Sequence, residues 1–61
     1  MKLWIARDLE DDKLHLFPGE PHNKLFWWTY RNEKNEIDKT MFPEVTFENS
    51  PQQVELKLVK E

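Results

Sequence analysis

Apolar residues in this chain recur at every second position, and that period decides most of what the chain can become. In "KLWIAR" (2 to 7), Leu3 and Ile5 lie on one side of an extended backbone and Lys2, Trp4 and Ala6 on the other. In "KLHLF" (13 to 17), Leu14 and Leu16 oppose His15 and Phe17. Successive side chains of a strand point to opposite faces, so both segments are expected to be strands. The acidic, turn-compatible "DLEDD" between them predicts a hairpin, with Leu3 and Ile5 on the face of Leu14 and Leu16 and with Trp4 near His15 or Phe17. "VELKLV" (54 to 59) repeats the alternation with Val54, Leu56 and Leu58 inward.

A third extended run, 24 to 30, contains the adjacent pair Trp27 and Trp28. On a strand the two cannot enter the same core. The even stripe Lys24, Phe26, Trp28, Tyr30 is the more apolar one. It is assigned to the main core with Leu3, Ile5, Leu14, Leu16, Leu56 and Leu58, which leaves Trp27 beside Trp4, His15 and Phe17 on a second face. A sheet that is apolar on both faces needs two covers. Three candidates arise for the second: the 40 to 51 loop with Met41, Phe42, Val45 and Phe47; a second copy, through that face or the 54 to 59 edge; or a different protein. In the last case Trp27, Trp4 and Tyr30 would be the anchors, and the candidate protein-binding set is Trp4, His15, Phe17, Trp27 and Tyr30.

The connections complete the expectation. "FPGE" places Pro18 and Gly19 at the second and third positions of a type II turn, whose third position requires positive φ. After "RNEKNE" a short strand is expected over 35 to 37, and Asp38 then caps at most one helical turn, which Pro43 ends. The predicted class is all-β: one domain, 1 to 61, with a small antiparallel sheet or meander of four to five strands, curled or barrel-like. A small SH3-like barrel is the alternative architecture. A chain of 61 residues without cysteine has room for one small core and no disulfide to staple it, so its three Trp, one Tyr and four Phe are its main means of stabilisation.

Charge and chemistry narrow the function. Net charge is −3 and the nine Lys and Arg are scattered among acids, with no basic stripe of the kind that binds nucleic acid. No apolar run approaches the length of a membrane span, and "MKLWIARD" reaches Arg7 too early for a signal peptide, so a cytoplasmic protein with no membrane partner is expected. His15 and His22 are the only histidines and there are no thiols, hence neither a metal site nor a cofactor is expected. His15 reads as a cross-strand partner. Asp8, Glu10, Asp11 and Asp12 lack the central glycine and distant Glu of a calcium loop, and nothing apolar surrounds them to separate their pKa values. They read as a solvated turn, and a minimal hydrolase built on 8 to 12 is the enzymatic alternative. Ser50, the sole serine, has no evident base.

The opening "MKLWIARD", the "LHLF" after it, and "MFPEVTFENSP" leading into "VELKLV" resemble a group of very short uncharacterised bacterial and phage-like proteins. The resemblance touches both ends of the chain. It implies a free-standing small protein of phage or mobile-element origin and carries over no functional residue. With the acidic charge as a steering feature, it points to a non-enzymatic inhibitor or modulator that binds another protein; self-association without a separate ligand is the alternative.

Overall fold

The computed structural model describes residues 2–31, 33, 35–55 and 57. Its strands are β1 (Lys2–Arg7), β2 (Leu14–Phe17), β3 (His22–Lys24), β4 (Trp27–Thr29), β5 (Asn35–Ile37) and β6 (Gln52–Glu55). Four of them form an antiparallel sheet in the order β5-β2-β1-β6, while β3 and β4 form a separate two-stranded hairpin. The protein is all-β. Among the described residues the sheet stays open, with β5 and β6 as its edges, and no closed barrel forms.

Register obeys the period-two pattern. Ile5 pairs with Leu16 and Arg7 with Leu14, whereas Trp4 pairs with Phe17 and Ala6 with His15. Leu3 faces Val54 on β6, and Leu14 faces Ile37 on β5. The first face therefore gathers Ile5 and Leu14 with Val45, flanked by Leu16, Ile37 and Val54. On the second face, Ala6, Phe17 and Trp28 are buried together, flanked by Trp4, Tyr30 and Phe47. Ile5, Leu14 and Phe17 are fully buried, each contributing about 1.5–3 kcal/mol relative to exposure.

The 24 to 30 run is not one strand, so the described residues hold a four-stranded sheet and a separate two-stranded one. Leu25 takes φ 66, and its N–H is held by Asn23 Oδ1 at 3.0 Å, so the chain reverses there. Lys24 then pairs with Trp27, and Asn23 with Trp28. The assignment of the tryptophans inverts as a consequence. Trp28 belongs to the second face, not to the main core, and Phe26 is exposed. Leu56 and Leu58, assigned to that core, lie outside the described residues.

The segment from Asp38 to Pro51 wraps the Arg7 end of β1. Asp38 does cap, but it caps a turn: its Oδ1 accepts Thr40 N–H at 2.8 Å and Thr40 Oγ1–H at 2.7 Å, and its carbonyl accepts Met41 N–H at 3.0 Å. No helix forms among the described residues, because Phe42 turns to φ 49 just before Pro43. Arg7 organises the rest of the segment. Its guanidinium donates to the carbonyls of Val45 (2.6 Å), Asp12 (3.0 Å), Lys39 (3.0 Å), Phe42 (3.3 Å) and Met41 (3.4 Å). That matches the five N–H groups a guanidinium carries. Ser50 Oγ accepts the Arg7 backbone N–H at 3.0 Å and donates to Thr46 O at 2.5 Å. Val45 is thereby set on the first face and Phe47 on the second, while Met41 and Phe42 remain exposed. Of the loop expected to cover the second face, only Phe47 does so; Trp28 supplies the rest.

Gly19 serves a different purpose from the one its Pro-Gly context predicts. It does not adopt positive φ. A Cβ at this position would lie 2.5 Å from Tyr30 Cζ and 2.6 Å from Cε1, so any larger residue would displace the Tyr30 ring.

Candidate protein-binding surface

The expected site residues divide sharply. His15 and Phe17 are buried and present no surface to a partner. Trp4 and Tyr30 are half-buried against the second-face cluster, which Trp28 and Phe47 close with ring centroids 6.0 Å apart at 52°. His15 stands 6.2 Å from Phe17, ring to ring. Only Trp27 faces solvent, at 42% exposure. Four of the five residues thus form or flank the core, and the fifth marks a surface that the sequence did not delimit.

That surface is the tip of the β3–β4 hairpin. Phe26 N–H donates to Lys24 O at 2.8 Å across Leu25, whose positive φ makes this a γ-turn of the rarer, strained kind. A non-glycine residue in this conformation costs about 1–3 kcal/mol. Leu25 is 77% exposed and Phe26 50%. Leu9 joins them at 48%, its N–H bonded to Phe26 O at 2.9 Å, and Leu9, Glu10 and Phe26 line one shallow concavity. Leu9, Leu25, Phe26 and Trp27 form an apolar projection on a chain whose other large aromatic side chains, Phe42 excepted, are buried or half-buried.

The projection is anchored from below. Asp8, the first acid of the run read as a solvated turn, is 4% exposed. Its Oδ1 accepts Trp28 N–H at 3.0 Å and its Oδ2 lies 3.6 Å from His15 Nδ1. Buried carboxylates need such partners. One side chain therefore joins β2, the 8 to 12 turn and β4, and Trp28 enters the core as Trp27 turns out. Without Asp8, the backbone N–H of Trp28 would be buried with no acceptor. Sequence signals for this existed. Arg7 occupies an inward position of the Leu3, Ile5 stripe, and Asn23 stands two residues before Leu25, where its side chain can hold a turn.

The chemistry of the acids is dispersed. Asp8 faces His15, Asp12 lies 3.6 Å from Arg7 Nη1, and Asp11 Oδ1 accepts Lys13 N–H at 3.0 Å. Among the described residues, no three His, Asp or Glu side chains gather as a metal ion would need. Arg7, Asp8, Asp12 and Lys39 line a cleft of about 370 Å³, yet Arg7 has committed its donors to carbonyls. Asp38 is held below its ordinary pKa, first by the Thr40 backbone N–H and then by the Thr40 hydroxyl. Among the described residues, no helix is long and apolar enough to cross a membrane.

No protein-family model, curated protein or solved structure matches the chain.

Proposed function

We propose that this chain is a small non-enzymatic protein-binding module of the cytoplasm, a modulator that engages another protein through the tip of its β3–β4 hairpin. The observation that carries the reading is the exposure of Leu25, Phe26 and Trp27 together on a strained turn fixed to a packed core. Large apolar and aromatic side chains held rigidly outward lose little entropy on binding and are the usual anchors of protein interfaces. Asp8, Asp11 and Asp12 point to separate partners, which favours binding over hydrolysis. An origin in phage or another mobile element accords with the resemblance of the two chain ends and makes a host protein the natural target.

The test compares wild type with a Leu25→Ser, Phe26→Ser variant as baits in a bacterial lysate, with sedimentation velocity on each protein alone. A partner retained by wild type and lost by the variant, both baits being monomeric and equally stable, is the expected result. Equal recovery by both baits refutes the tip as the contact. Concentration-dependent dimerisation of wild type alone would reassign the tip to self-association.

A further inference from the structure

Asp8 and His15 form a buried ionisable pair at the foot of the β3–β4 hairpin. They are 4% and 5% exposed, with Asp8 Oδ2 3.6 Å from His15 Nδ1. The other carboxylate oxygen, Oδ1, accepts Trp28 N–H at 3.0 Å. Asp8 is itself fixed, since its backbone N–H donates to Lys13 O at 2.9 Å at the entry to β2. Among the described residues two hydrogen bonds tie the hairpin to the rest of the chain: this one from Trp28, and that from Leu9 N–H to Phe26 O at 2.9 Å. The first of them ends on an oxygen whose twin faces an imidazole.

We infer that Asp8 is a latch through which the charge of His15 governs how firmly the hairpin is seated on the sheet. A histidine ordinarily changes charge between about pH 5 and 8. An imidazolium opposite Oδ2 gives the buried carboxylate a counter-charge, and charge-assisted N–H···O bonds close to about 2.7–2.9 Å. The carboxylate is then held from both sides, and Trp28 with it. With His15 neutral that counter-charge is withdrawn, and the hold on Trp28 weakens. The other charged groups near His15 have partners of their own. Glu36 faces it from β5 but is exposed and pairs with Lys13 at 3.8 Å. Ala6, its neighbour on β1, carries no charge, and the Arg7 guanidinium donates to backbone carbonyls and lies 3.6 Å from Asp12. Tyr30 adds a titratable phenol to the second-face cluster.

Amide hydrogen exchange of the ¹⁵N-labelled protein tests this, followed by NMR from about pH 5 to 8 and corrected for the intrinsic pH dependence of exchange. The His15 ring resonances give its midpoint. Protection of the Trp28 amide should fall about tenfold as pH rises through that midpoint, the loss of one charge-assisted hydrogen bond of ordinary strength. His22, exposed on β3 and paired with Thr29, is the competing source, so the fall should persist in His22→Gln and in Glu36→Gln. It should vanish in Asp8→Asn, which keeps an acceptor for Trp28 but has no charge for His15 to oppose. Where Asp8→Asn does not fold, His15→Gln takes its place, with the same loss expected. Trp28 protection that is flat or rises through the His15 midpoint overturns the inference, as does a fall that follows His22 instead or survives Asp8→Asn. An equal fall at the Ile5 and Leu16 amides would assign the effect to the whole fold and overturn the latch.

Discussion

Trp27 and Trp28 are adjacent in sequence and opposite in role. Trp28 is 8% exposed, packed on Ala6 and Phe17 and ringed by Trp4, Tyr30 and Phe47, with its backbone N–H on Asp8. Trp27 is 42% exposed beside a turn that projects Leu25 and Phe26. One peptide unit separates the residue that closes the core from the surface left over. The difference teaches how so short a chain can hold an apolar patch outward: a three-residue strand turns one face to the core and the other to solvent, and the alternation of the pleat keeps the two apart.

Substitution at the pair gives the largest effect. Trp28→Ala should cost about 3–5 kcal/mol, comparable with the whole stability of a domain this small, so urea titration should find little folded protein. Trp27→Ala should move stability by less than about 0.5 kcal/mol. Trp28→Phe should remain folded, because among the described residues Trp28 Nε1 meets no acceptor, and removing a buried unpaired donor offsets part of the lost packing. Equal costs at the two positions would break the comparison.

Arg7→Lys comes next, at about 2 kcal/mol by the same titration, because an ammonium has three donors and no planar fork. It cannot serve five carbonyls spread over residues 12 to 45. Gly19→Ala should cost about 1–3 kcal/mol by forcing the Tyr30 ring away. In a Gly19→Ala, Tyr30→Leu double variant the two costs should add to less than their sum, since they share one contact.

The smallest effect belongs to Asp38. Its carboxyl is depressed in the folded state, so the turn it caps is supported above the unfolded pKa and loses that support as pH falls through the folded one. The carboxyl ¹³C resonance should titrate below the ordinary Asp midpoint. Thr40→Val should bring that midpoint part of the way back, since the hydroxyl bond goes and the backbone bond remains.

Legibility in the sequence depended on how far apart the deciding residues lie. Alternation alone placed Leu3, Ile5, Leu14, Leu16 and Val54 on one face and Trp4, His15 and Phe17 on the other, because period two is local information. Of the five residues proposed for binding, only Trp27 is exposed. Placing Trp28 required knowing that Leu25 turns at positive φ, a conformation its side chain opposes and the bonds of Asn23, Lys24 and Asp8 sustain. Burial of Asp8 ran against composition, since an Asp among acids reads as solvated until its N–H partner, 20 positions away, is known. Gly19 likewise looked like a turn residue while its constraint came from Tyr30. At Asp8 and Gly19 a contact distant in sequence overrides the local preference; at Leu25 the deciding bond, to Asn23, is local.

The central claim is that Trp28 is core and Trp27 is surface. Acrylamide quenching of two single-tryptophan proteins tests it most directly. A Trp4→Phe, Trp27→Phe variant leaves Trp28, and a Trp4→Phe, Trp28→Phe variant leaves Trp27. The account predicts that Trp27 is quenched several-fold more efficiently than Trp28 and at all protein concentrations. Equal shielding of both in dilute solution would contradict it.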